Sequence, residues 1–439
     1  MSRKIFLLTI VSALLLLASF DTRVGTVGCA DCFKSPTWVN PKEVTEGFFK
    51  LSVSSTAHND YGLAYPVTYC FNIPEGSLSL KAYKRYSSQQ AWSQIAEKKS
   101  TDFFNGIEAV RFDYVAGKAY VSVAFGDLSD DVYVKITDVN GNSVPASFSH
   151  MPQYYDNRKA VVTASADDWN YAEGQKIPFV KACDTFRSYK VWLTVAVITN
   201  KDGMAPDWSA IQTEIDEGYV EVASHSRNHT KTPYANYDFE VDGSQSDIIG
   251  NLSLPYKRGN QEYVYAWIEP YGQCDVVVRQ KLGYYHYLVD RSIGTADWWG
   301  TWDSANVLFS GVGKSIEMAY QGTIIVENLN SKFDTVYNAC GIYHLMCHPQ
   351  HVNWASGSYA HQHLQHIKGK TDVWYVGFGH LYLYHYMQAR NIVTVQGRKT
   401  IKVPENYATI QGAVNAANPG DVVIVSPKTY YEHVTVNKS

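Results

Sequence analysis

From residue 157 onward the chain alternates short apolar runs with helix-patterned segments, and this alternation restricts the fold more than any other feature. The runs are KAVVTAS (159–165), YKVWLTVAVIT (189–199), YVEVASH (219–225), YVYAWIEP (263–270), YYHYLVD (284–290), IYHLMCH (342–348) and DVWYVGF (372–378). Between the second and third lies DWSAIQTEIDEG (207–218), where Asp207 is placed to cap a helix and Gly218 to end it. Strands that alternate with helices run parallel, because each crossover returns the chain to the same end of the sheet. The pattern predicts a parallel sheet over 157–395, open or closed to a barrel. In either form the chemistry belongs at the carboxyl ends of the strands.

The flanks read differently, so the chain is expected to be multidomain. Within 33–155, AYVSVAF (119–125) and DVYVKITDVNGNSV (131–144) alternate with period two, and Asn140-Gly141 supplies a hairpin-like turn. This predicts a β-sandwich-like accessory domain. Residues 400–439 hold a short helix-like piece, a Pro-Gly-Asp turn at 419–421 and a β-rich run. They resemble the first coil of a right-handed parallel β-helix. One coil buries no core alone, so truncation at the C-terminus is expected, with a small β appendage as the alternative.

At the other end, Arg3 and Lys4 precede the charge-free run IFLLTIVSALLLLASF (5–20), shorter than the roughly 20 residues of a membrane span. A basic start, a short apolar run and small residues near Ala18-Ser19 predict a signal peptide over 1–28. The protein is therefore expected to be secreted or held at the cell surface; an uncleaved N-terminal anchor is the alternative. Cys29 and Cys32 form one C-x-x-C without the second pair of a zinc ribbon, and pairing among the other five cysteines stays open. A net charge of −4 points to no polyanionic partner, hence to no nucleic acid.

The polar residues that end the strands converge on one rim. The first strand ends in Asp167-Asp168, the third in His225 with His229 four residues on, the fourth runs into EPYG (269–272), and a later one ends at His348. Four residues make about one helical turn, so both imidazoles can face one ligand. An aspartate with two histidines is a mixed oxygen and nitrogen set suited to Zn²⁺ or a similar ion with an open position. A second carboxylate can accept a proton from water, and a histidine opposite can protonate a leaving group. Paired carboxylates alone are usually a turn or cap, and a strand-terminal histidine is usually packing. All of them in order, at strand ends, point to a site for hydrolysing an amide or ester.

Over roughly 157–390 these residues resemble the polysaccharide deacetylases with a NodB-homology domain, carbohydrate esterase family 4. SADDW (165–169) stands at the family's T-F-D-D-G motif, HSRNH (225–229) matches H-[ST]-x-x-H in full, and EPYG matches the Pro and Gly of R-x-P-x-G. The resemblance implies a distorted, incomplete (β/α) barrel. It implies Asp168, His225 and His229 as metal ligands, Asp167 as general base and His348 as general acid. Ser226 would brace the histidine loop, and Pro270 and Gly272 would shape the third. The Tyr271 N–H would help hold the oxyanion, Met346 would border the acetyl methyl pocket, and Trp298 would meet substrate.

The chain also departs from the motifs. Ala166 and Trp169 stand where the first has phenylalanine and glycine, and Ile268 stands where the third has an arginine that braces the base. Arg291, beside Asp290, is the nearest cation in motif order to replace it. LVDRSIGTADWW (288–299) offers Asp290, Asp297 and Trp298 for the fourth motif at wide spacing. The resemblance implies a metal-dependent hydrolase, with Zn²⁺ the first choice of ion, that removes N- or O-acetyl groups from an acetylated carbohydrate polymer. Two alternatives are an impaired carbohydrate-binding or surface protein on the same scaffold, and a hydrolase of a non-sugar amide.

Overall fold

The computed structural model describes residues 48–55, 61, 65–87, 90–126, 129–255, 262–291, 297–318, 325–396, 400–417 and 421–436. The expected leader (1–28), Cys29 and Cys32 lie outside the described residues.

The first part contains β1 (Phe48–Val53), β2 (Val67–Asn72), β3 (Lys81–Arg85), β4 (Ser93–Ile95), β5 (Ala109–Asp113), β6 (Lys118–Val123), β7 (Asp131–Thr137) and β8 (Ser147–His150). They form two antiparallel sheets, β1-β7-β3-β4 and β5-β6-β2-β8. The period-two pattern of β7 sends Val132, Val134 and Ile136 inward, against Val67, Tyr69, Val121 and Val123 of the other sheet. The Asn140-Gly141 turn forms as read. The Asp138 carboxylate accepts from the Asn140 and Asn142 N–H groups, and Gly141 takes φ 88°, a conformation glycine adopts without strain.

The second part alternates strands with helices. β9 (Ala160–Trp169), β10 (Leu193–Val197), β11 (Val220–Ser224), β12 (Ala266–Ile268) and β13 (Val289–Arg291) are followed by a short hairpin, β14 (Trp302–Asp303) and β15 (Leu308–Ser310). β16 (Ile316–Met318), β17 (Ile342–Cys347) and β18 (Val373–Tyr375) complete the set. Between them run α1 (Glu173–Ser188), α2 (Trp208–Asp216), α3 (Tyr237–Asn251), α4 (Val276–Tyr284), α5 (Val326–Asn338) and α6 (Tyr359–Ile367). The sheet order is β14-β15-β13-β12-β11-β10-β9-β17-β16, with β18 also on β9, and all pairs but the hairpin are parallel. The sheet stays open at β14 and β16, an incomplete barrel. β9 is buried nearly throughout, as a strand covered on both faces must be.

The outer face packs on the helices, with Val162, Ala164 and Ala166 against Phe179, Phe186 and Phe333. The inner face receives a last helix, α7 (Phe378–Arg390), through Phe378, Leu381 and Tyr382. Its amino end is held by buried Glu221 of β11, whose carboxylate accepts from the Gly379 and His380 N–H groups at 2.7 and 3.0 Å. A negative charge at a helix N-terminus offsets its dipole. β19 (Asn391–Gln396) pairs antiparallel with β1 and covers an edge that would otherwise be bare. The final segment is a parallel pair, β20 (Thr400–Val403) and β21 (Val422–Val425), bridged by α8 (Ile410–Ala416) over a small core of Ile401, Val403, Ala413 and Ala417.

Candidate active site

In a regular strand, neighbouring residues such as Asp167 and Asp168 face opposite ways. Here β9 carries a bulge: Ala166 pairs with Val195 but Trp169 with Val197, so β9 has one residue more than β10 over that step. Asp168 absorbs the extra residue at φ 85°. Trp169, in place of the motif glycine, is fully buried on the outer side, its ring 4.8 Å from that of Phe179. The bulge thereby frees both carboxylates for the rim.

His225 and His229 do meet, but not on a helix. They sit in a loop after β11, turned by left-handed backbone at Ser226 (φ 62°) and His229 (φ 55°). The Ser226 hydroxyl accepts from the His229 N–H at 2.8 Å, closing the loop. A brace the sequence did not reveal comes from buried Glu240 of α3, whose carboxylate accepts from the Arg227 and Asn228 N–H groups at 3.0 and 2.9 Å. Two opposing imidazoles 4.7 Å apart, ring to ring, result.

The His225 Nε2 lies 3.4 Å and the His229 Nε2 3.3 Å from Asp168 Oδ1, and the three groups present one ligand atom each within 4.8 Å. His225 Nδ1 donates to the Ile268 carbonyl at 2.8 Å, so in the neutral ring Nε2 carries the lone pair. A lone pair then faces a carboxylate oxygen, an arrangement that a shared cation resolves. Burial and the adjacent His225 push His229 down to about 4, leaving it a neutral nitrogen donor. The donor set fits a divalent metal ion.

Asp167 is buried, and its Oδ2 pairs with the Arg291 guanidinium while Oδ1 has no hydrogen-bond partner among the described residues. Arg291 lies in β13 directly beside Ile268 of β12 in the parallel register. The arginine absent from the third motif is thus supplied one strand over, at the same height. On the far side His348 directs Nε2 to Asp168 Oδ2 at 3.9 Å and Nδ1 to Glu317 Oε1 of β16 at 3.3 Å. Burial lowers the His348 pKa, but the Glu317 hydrogen bond and the nearby aspartates raise it further, giving a net upward shift. The same contact draws Glu317 down to about 2. Glu317 had no signal in the sequence beyond one acidic residue in GKSIEM (313–318).

Met346 lies on β17 opposite Ser165 of β9, two residues before His348 and therefore on its face of the sheet. Pro270-Tyr271-Gly272 form a single 3₁₀ turn after β12, and the Tyr271 ring lies 4.6 Å from that of His229 while 47% exposed. Two expected residues lie elsewhere. Asp290 faces the outer side of β13, paired with Arg279 of α4 at 2.7 Å, because it alternates with inward-facing Arg291. Trp298 stands against Tyr154, and the adjoining Asp297 carbonyl accepts from the Ile342 N–H at the amino end of β17. His348 leaves the opposite end of that strand, so Trp298 is not part of the rim.

No family model and no curated protein matches the sequence. Solved structures do. A candidate polysaccharide deacetylase from Mycobacterium smegmatis is 12% identical, with 55% of this chain and 94% of that one covered at a TM-score of 0.42. A family 4 acetyl xylan esterase from Clostridium thermocellum, in complex with cobalt, is 13% identical over 51% and 90% of the two chains, TM-score 0.32. A pseudoenzyme of carbohydrate esterase family 4 from Bacillus anthracis is 10% identical over 53% and 69%, TM-score 0.34. In the order of its motif residues along the sequence, this chain resembles the polysaccharide deacetylases of that esterase family.

Proposed function

We propose that this protein is an exported, metal-dependent hydrolase that removes acetyl groups, N- or O-linked, from a carbohydrate polymer at or beyond the cell surface. The observation that carries the reading is one ligand triad, Asp168–His225–His229, flanked by an arginine-paired aspartate and a glutamate-paired histidine. The triad would hold the ion, with Zn²⁺ suited to two imidazoles and a carboxylate. When bound, such an ion supplies Lewis acidity to an acyl oxygen and to an attacking water.

The chain's own residues supply the rest. Asp167 takes the proton that water loses, and the paired Arg291 guanidinium aims it. His348 gives a proton to the departing nitrogen or oxygen, and Glu317 holds its other ring nitrogen and favours the charged form. The Tyr271 turn stands beside the triad, and its N–H would meet the developing oxyanion. Its exposed ring offers the apolar platform on which the C–H face of a sugar packs. Export rests on the leader pattern of residues 1–28.

The test is acetate release from a panel of acetylated glycans by wild type, chelated protein and Asp167→Asn. We expect turnover that needs a divalent ion and falls about 10²–10⁴-fold in Asp167→Asn. Wild-type turnover equal to that of the folded, metal-loaded variant would instead favour a glycan-binding protein on this scaffold.

A further inference from the structure

On the outer face of the β12–β13 pair lies a second group of ligand-bearing side chains. Glu269 follows β12, Cys274 lies just before α4 and Asp290 lies in β13, each with one ligand atom within 4.8 Å of the others. Glu269 is 1% exposed, and neither of its carboxylate oxygens has a hydrogen-bond partner among the described residues. Folded proteins pair or neutralise such groups, because a buried carboxylate without a partner is costly. A further acidic cluster among the described residues, Asp184, Glu214 and Glu217, shows the contrast: the Arg187 guanidinium reaches all three at 2.6–2.8 Å.

We propose that Glu269, Cys274 and Asp290 form a second divalent-cation site, separate from the rim and selective for a thiophilic ion such as Zn²⁺ over Mg²⁺ or Ca²⁺. A thiolate with two carboxylates favours that choice. The charges also close. Glu269, Asp290 and a Cys274 thiolate carry three negative charges, and a divalent ion with Arg279, 2.7 Å from Asp290, carries three positive.

Binding is an exchange without redox change: the ion enters, and the protons of Cys274 and Glu269 leave to solvent. Cys274 is only partly buried, which gives the ion a way in. Two of the ligands bracket Pro270-Tyr271-Gly272, so the ion ties the turn beside the rim to the strand beneath it. The proposal does not depend on the hydrolase reading.

The test uses the full chain, stripped by chelation and titrated with Co²⁺ and then Zn²⁺. We expect two ions per chain and a cobalt–thiolate charge-transfer absorption in the near ultraviolet. Cys274→Ser should remove the absorption and one ion; His229→Ala should remove one ion and leave the absorption; Glu269→Gln should weaken the thiolate-bound ion. Zn²⁺ should also protect Cys274 of the wild type from alkylation, a readout that needs no variant to fold. Wild type without the thiolate absorption, or an absorption that survives Cys274→Ser, overturns the site. Loss of the rim ion alone, with the absorption kept, counts only against the rim assignment.

Discussion

The two faces of the β12–β13 pair handle buried charge differently. On the inner face Arg291 meets Asp167, and the rim acids and bases nearly all have a named partner. On the outer face Arg279 meets Asp290, but neither carboxylate oxygen of Glu269 has a hydrogen-bond partner among the described residues. Asp290 and Arg291 are adjacent in sequence, and the pleat alone divides them between the two environments. The inner arrangement is complete apart from its ion, whereas the outer one leaves a buried carboxyl group without a hydrogen-bond partner among the described residues. A buried ligand group left over after protein partners are counted is thus a better pointer to a missing ligand than acidity by itself.

The sharpest way to break this comparison is to remove each arginine in turn. Both sit in pairs with a buried carboxylate, and breaking such a pair by deleting one partner costs about 3–5 kcal/mol. Arg279 is the more exposed of the two, so its loss should fall at or below the lower end. The rates should separate further. Arg291→Ala leaves Asp167 unaimed and should lower acetate release by about 10²-fold or more at unchanged rim metal. Arg279→Ala should leave the rate per folded molecule near that of wild type while weakening the outer ion. Denaturant midpoints and turnover, measured on the same preparations, check both. Equal rate losses would mean that the two faces are not functionally distinct.

A smaller effect is expected on the acid side of the rim. Glu317 raises the His348 pKa, and His348 must be protonated to act as an acid. Glu317→Gln therefore lowers that pKa, so the protonated form is lost at lower pH than in wild type. The alkaline limb of the rate profile should move to lower pH, with the acidic limb unmoved. A profile that keeps its alkaline limb would assign Glu317 a purely structural place.

What the sequence disclosed follows from where the information lies. Asp167-Asp168 and His225-x-x-x-His229 are local patterns at the ends of long apolar runs, so both strand and site were readable. Arg291 was readable only as the nearest cation to a gap in a motif; the register that sets it beside Ile268 is a property of the sheet. Glu240 and Glu317 belong to other elements and act through backbone folding that no spacing announces. β14, β15 and β16 have two or three residues each, too few for any periodicity to show. The histidine pair was read as a helical turn because its spacing suits one, but two left-handed residues produce the same convergence in a loop. The outer cluster was not readable at all, since Glu269 and Cys274 are brought to Asp290 only by the turn between β12 and α4.

Trp298 tests the outer limit of the site and carries the smallest expected effect. Motif order placed it at substrate, but the chain after β13 brings it to the amino end of β17 instead. Its ring is 43% exposed and touches Tyr154 at 6.4 Å between centroids. Six strand residues separate that end from His348, about 20 Å at the rise of a β-strand. A side chain at that distance cannot touch the reacting atoms, and loss of a half-exposed ring costs little packing. Trp298→Ala should therefore change kcat/KM for a short acetylated oligosaccharide by less than about threefold, below 1 kcal/mol. Tyr271→Ala, beside His229, should raise KM for the same substrate more than it lowers kcat. A larger loss in Trp298→Ala than in Tyr271→Ala would put substrate at the amino end of the barrel and overturn the rim as the place of binding.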